Sequence, residues 1–184
     1  MKLRYRLERA TQAAAHLLLL RGGRMSYMKL LKLMYLADRD ALLRHGRPIT
    51  YDRYVSMDHG PVLSQTYNLI VAEESPEQPS SYWRQLISEP DRYEVQLLTT
   101  TPPTSDLSPA QLEILDRVFG EFGAKGRWEV VDFVHTLPEW EDPHGSSIPI
   151  ALRDVLRAGG MDDEDAEAVE EGLLAEDALA ELID

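Results

Sequence analysis

SYMKLLKLMYLADRDALLRHGRPITYDRYVSMDHGP, residues 26–61, carries the strongest pattern in the chain: a long apolar-periodic run, a Gly/Pro turn, an alternating run and a second Gly-Pro pair. On a wheel of about 100° per residue, Met28, Leu30, Leu31, Leu33, Met34, Tyr35, Ala37, Ala41 and Leu42 fill an arc of about 200°. Lys29, Lys32, Arg39 and Asp40 fall opposite. So wide an arc predicts a central helix over 27–44 that packs on more than one neighbour. Ser26 stands at its N-cap, and Gly46 and Pro48 end it. Asp38 breaks the pattern by falling mid-arc, where an ionised carboxylate is costly unless charge or hydrogen bonds compensate it. Donors follow at Arg47, Tyr51, Arg53, Tyr54 and the backbone of residues 58–60. Arg53 is the expected partner, because a guanidinium grips a carboxylate with two parallel hydrogen bonds. Asp38 would then tie the helix to segment 49–61 and fix the surface of the following turn.

Outward from that stretch, residues 3–20 read as a helix ended by Gly22-Gly23, and 49–58 as a short strand turned by Gly60-Pro61. A helix is expected over 62–72, then a polar Pro-rich loop over 73–81. SYWRQLI and YEVQLLTT, separated by SEPDR, suggest a β-hairpin. Ser108 and Gln111 form a capping box, with Pro109 at the first helical position and Leu107 and Leu112 spaced as a hydrophobic staple. A short helix from Trp128 is stopped by Pro138, and Trp140 anchors the loop after it. Residues 149–158 give another helical turn or two. The last segment is acidic and helix-prone, with Val169, Leu173, Leu179, Ala180 and Ile183 on one side. The fold class is therefore mainly α with a small β element, a short strand plus a hairpin. A single compact helical domain is expected over 1–160, with an acidic helical extension over 161–184.

The chain has 184 residues and no cysteine, which excludes disulfides, thiolate metal sites and a Cys nucleophile and suits a reducing cytoplasm. No signal peptide is visible, and the apolar run Ala13–Leu20 is far short of the ~20 residues a membrane helix needs. The net charge of −13 is lopsided: residues 1–60 carry 12 basic and 5 acidic side chains, and residues 161–184 carry 11 acidic and none basic. Internal complementarity between the two ends explains this more simply than a nucleic-acid surface.

No reaction chemistry is evident from the residues. His135, Glu139 and His144 lack a recognised metal spacing, no serine sits in a GxSxG elbow, and Gly22-Gly23 and Gly159-Gly160 are not phosphate loops. His16 and His45 have structural explanations. The expectation is no catalytic residue, no metal and no cofactor.

Residues 28–70 resemble the first half of the Panacea domain of SocA-like antitoxins through KLLKLMYLAD (29–38), GRPIT (46–50) and RYVSMDHGPV (53–62). HTLPEWEDPHGSSIPI (135–150), with LPEW at 137–140, resembles the second half, so the likeness spans about residues 5–160. The resemblance implies an antitoxin of a toxin–antitoxin pair, carried on mobile elements, that neutralises a co-encoded toxin by direct protein–protein binding. It also brings a role as a proteolytic adaptor, with a protease as second partner. Some relatives carry an added helix-turn-helix or zinc module with no counterpart in these residues, so binding to nucleic acid is not expected. A nucleic-acid-binding regulator using the basic first third is one alternative; a metal-dependent hydrolase built on His135, Glu139 and His144 is the other. The partner-binding face is expected at Tyr54, Asp58 and His59, with Asp38, Arg53, Gly60, Pro61 and Trp140 as structural anchors.

Overall fold

In a computed structural model that describes residues 3–72 and 81–182, the central helix is α2, Tyr27–His45, as its apolar arc predicts. Gly46 closes it in the left-handed region at φ 67°, which a glycine adopts without strain. The burial is wider than the wheel suggests. Every residue from Lys29 to Asp38 is buried, the two lysines included. Lys29 reaches the far end of another helix, donating to the carbonyls of Gly123 (2.7 Å) and Lys125 (2.6 Å), and so caps its C-terminus. Ser26 precedes the first helical residue, but its hydroxyl makes no cap bond and is buried without a partner.

Around α2 lie α1 (Leu7–Leu20), α5 (Pro109–Phe122), α6 (Arg127–Val134) and α7 (Leu152–Ala158). Leu17, Leu18, Leu33, Leu42, Leu115, Val118, Val130 and Val155 meet in one core. The capping box on α5 is present as the sequence predicts: Ser108 Oγ accepts from the Gln111 amide at 3.2 Å and Gln111 Oε1 from the Ser108 amide at 2.9 Å. The fold is mainly helical with a minor β component, as expected.

The β component is arranged differently in detail. Residues 49–53 are loop, and the strand is β2, Tyr54–Met57. It forms a hairpin with β3, Gly60–Leu63, so the turn is Asp58-His59, and Gly60-Pro61 opens the second strand. On its other side β2 pairs antiparallel with β5, Ile148–Ile150, a strand where helix was expected. SYWRQLI is not a strand. Ser81 Oγ caps it as α4, Tyr82–Leu86, because a Ser three residues before a free amide favours a helical turn. Its expected partner β4, Glu94–Gln96, pairs instead with β1, Arg24–Ser26; only the Ile87–Leu97 bridge remains of the predicted pairing. The three-residue β1 is too short to show a period. Residues 73–80 of the expected loop lie outside the described residues. α3, Ser64–Val71, follows β3 directly.

The acidic segment forms α8, Asp163–Glu181, capped by Asp162 and packed on α7, with Ala166 and Leu173 buried. Leu179 is 60% exposed and does not join that stripe, and Ile183 lies outside the described residues. The acids meet the basic first third. Asp177, 6% exposed, accepts from Arg6 Nη2 (2.6 Å) and the Arg4 amide (2.5 Å), and Glu176 pairs with Arg47 at 2.8 Å. Because α8 buries few side chains, removal of residues 162–184 should leave a cooperatively folding protein destabilised by about 2–3 kcal/mol. Loss of the cooperative transition in urea would refute this.

Candidate functional site

Segment 46–61 has no regular structure until Tyr54, although Ile49, Thr50 and Asp52 are buried, so its backbone groups need partners from elsewhere. Asp38 supplies several of them. Asp38, fully buried, accepts from the amides of Ile49 and Thr50 (both 3.0 Å), from Thr50 Oγ1 (2.5 Å) and from Tyr54 Oη (3.2 Å). Burial pushes its carboxyl up to about 7 against the lowering effect of the Thr50 and Ile49 bonds. Asp52 does the same for α3, accepting from the amides of Gln65 (2.9 Å) and Thr66 (2.8 Å) and from Thr66 Oγ1 (2.8 Å). It caps α3 from a distance, in place of the residue before the helix. Thr66 also meets Tyr5 Oη at 3.0 Å and Thr50 Oγ1 accepts from the Asp52 amide at 3.1 Å, so α2, α3, the loop and the segment before α1 share one polar network.

Asp38 is thus the anchor the sequence predicts, but its partner is not Arg53. Arg53 is exposed, while short-range amides and hydroxyls of residues 49–54 fill the carboxylate instead. Tyr54 is 2% exposed and packs edge-on against Tyr35 at 5.3 Å, so it supports the surface from within and is not part of it. Asp58 and His59, expected on the partner-binding face, are exposed at the hairpin turn. Asp58 Oδ1 accepts from the Gly145 amide at 2.8 Å, tying the turn to the loop before β5.

The remaining anchors hold that turn. Gly60 has φ 97°, and a Cβ there would lie 2.6 Å from Val134 Cγ2, so the hairpin sits against α6 only because residue 60 is glycine. Pro61 presents its carbonyl to Lys32 Nζ at 2.9 Å. Trp140 donates from Nε1 to the Met57 carbonyl at 3.1 Å and stacks on His135 at 4.2 Å.

Beside the turn, α6 exposes Trp128 (49%), whose ring meets His59 edge-on at 5.5 Å and lies under the Arg127 guanidinium at 5.4 Å. Exposed Phe133 (38%) is on the same helix. The sequence suggested only that Trp128 begins a helix; which face it occupies depends on packing. Between the turn and α2 opens a small pocket of about 250 Å³, with Lys32 among its lining residues.

The residues of the hydrolase alternative are not assembled. Glu139, with a fully buried side chain, is occupied by Arg39 Nε (2.6 Å) and Nη2 (3.3 Å) and by Tyr35 Oη (2.8 Å). His144 is exposed and adjoins Asp142, and among the described residues no cluster of His, Asp or Glu could hold a metal ion. The basic first third is largely committed internally. Lys29 and Lys32 are buried, and Arg6, Arg24, Arg39, Arg44 and Arg47 are in ion pairs. The Tyr51 ring lies under Arg6 and Arg9 at 5.4 and 5.9 Å. Among the described residues no helix is long and apolar enough to cross a membrane.

Residues 30–141 match the family described as antitoxin SocA-like, Panacea domain. The match begins inside α2 and ends just past Trp140, so it takes in the Asp38 network, the hairpin, Trp128 and the Arg39–Glu139 pair. No curated protein and no solved structure matches significantly.

Proposed function

This chain belongs to the SocA-like Panacea-domain antitoxin family, and from that membership we propose that it neutralises a co-encoded protein toxin by binding it directly, without catalysis. The observation that carries the reading is the patch formed by Asp58, His59, Arg127 and Trp128. A tryptophan half in water beside an arginine and an imidazole, on a turn pinned from three directions, has the chemistry and rigidity of an interface anchor. The buried, saturated state of Glu139 supports binding over hydrolysis.

The test is genetic and physical. Expression of the neighbouring reading frame should arrest growth, co-expression of this chain should restore it, and the two products should co-purify at fixed stoichiometry. Rescue without a complex would overturn direct binding. Trp128→Ala should weaken the complex by roughly 30-fold or more while changing stability by less than about 0.5 kcal/mol. Equal affinity for wild type and variant, measured by calorimetry, would remove the patch from the interface.

A further inference from the structure

Lys32 is a buried amine with no counter-charge among the described residues. Its side chain is 1% exposed, its ammonium donates one hydrogen bond, to Pro61 O at 2.9 Å, and among the described residues no carboxylate pairs with it. Burial alone pushes its pKa down to about 7, without any neighbouring charge. Buried ammonium groups are costly unless paired, and a lysine retained there leaves two of its three donors for something else.

The space beside it is suited to such a partner. The pocket of about 250 Å³ is walled by Met28, Leu31, Met57 and Val62, with Tyr27 and Tyr67 beside them and Asp58 and His59 exposed at the mouth. It is smaller than the roughly 300–1,000 Å³ that drug-sized ligands and cofactors occupy, and of a size for one anchoring side chain. Two methionines give it walls that adapt to an incoming apolar stem. The mouth adjoins the patch of His59 and Trp128, so an inserted residue would extend a contact already placed there.

We propose that this pocket seats an acidic side chain, Glu or Asp, of the protein partner, its stem against Met28 and Met57 and its carboxylate on Lys32 Nζ. The inference rests on the reading of the chain as a toxin-binding protein. It adds the chemistry of one contact. Asp58 also lines the pocket and its Oδ1 accepts from the Gly145 amide, another lining residue, so an incoming carboxylate must pass this like charge to reach Lys32.

Hexanoate, with hexanamide as the neutral control, probes the site in the full chain, and methyl-labelled methionine reports on it. Hexanoate should shift the Met28 and Met57 signals saturably and at least tenfold more tightly than hexanamide, with Met25 and Met34 in the core unmoved. Lys32→Met should erase the difference. Equal binding of the two probes, or no shift, would overturn the proposal. In the toxin complex, Lys32→Met and the pocket-filling Met28→Trp should each weaken binding tenfold or more. If a toxin is neutralised and both variants bind it within twofold of wild type, the pocket assignment fails while the antitoxin reading stands. A hexanoate response in a chain that neutralises no toxin would reveal an acid-binding pocket with another occupant, and would overturn the partner assignment.

Discussion

Asp38→Ala is expected to cost about 3–5 kcal/mol of folding stability, enough to leave a domain of this size near the threshold of folding at 37 °C. The alanine would strand the Ile49 and Thr50 amides in a site without exposure and free two hydroxyls that now share one carboxylate oxygen. Each buried unpaired donor costs about 1–3 kcal/mol. Asp38→Asn should be far milder. Its amide oxygen can replace Oδ1 toward the two backbone donors, and its NH₂ can donate to Thr50 and Tyr54 after their hydroxyls rotate. The acid form differs from both in its pH dependence. With the folded carboxyl raised to about 7 from 3.8, folding binds a proton, so this contribution is fully present below pH 3.8 and is lost as pH rises through 7. The span is about 4 kcal/mol, and Asp38→Asn should lack it. Urea unfolding of both proteins at pH 4, 6 and 8 measures the difference. A gap independent of pH, or an alanine variant as stable as wild type, would contradict this account of the network.

The network also marks how far the sequence could be read. That Asp38 is buried and bonded to the segment after the helix followed from its place on the wheel, since a carboxylate inside an apolar arc must find donors. Which donors could not follow. Arg53 has the right chemistry, but residues 49 and 50 lie closer along the chain and deliver two amides and a hydroxyl with less side-chain ordering. Lys32 was misplaced for a similar reason. The wheel puts it opposite the apolar face, but α2 is enclosed on all sides from Lys29 to Asp38, and periodicity registers which residues are apolar and not how much of the surface is covered. Capping signals proved more local and more legible, as Ser108 and Gln111 show, because both partners lie within one turn. The capping of α3 by Asp52 has no such signature: donor and acceptor are 13 and 14 residues apart. Likewise β1 and β5 are three residues each and owe their extension to partners far along the chain. Gly60 and Trp140 could be picked out as anchors, whereas the clash at Val134 and the bond to Met57 needed the fold.

Glu139→Ala should be as damaging as the loss of Asp38, again by about 3–5 kcal/mol, through a different route. Its carboxylate, with no exposed side-chain surface, holds Arg39 by two contacts and accepts from Tyr35, so alanine leaves a guanidinium 17% exposed with no counter-charge. The pair lashes the loop after α6 to the middle of α2, and Trp140, the next residue, holds the hairpin through Met57. Disruption should therefore spread to the Asp58-His59 turn and weaken toxin binding indirectly. Replacing both partners separates structure from chemistry. Removing a buried ion pair whole is often neutral where removing half is not, so Arg39→Met with Glu139→Leu should recover most of the stability lost by either change alone. If Glu139 serves only as a strut, that double variant neutralises its toxin as wild type does. If Glu139 were the acid or base of a reaction, the double variant would be stable and inactive. Urea unfolding and growth rescue, measured on wild type, the single variants and the double variant, decide between the two, and a stable, inactive double variant would overturn the proposal that this chain acts by binding.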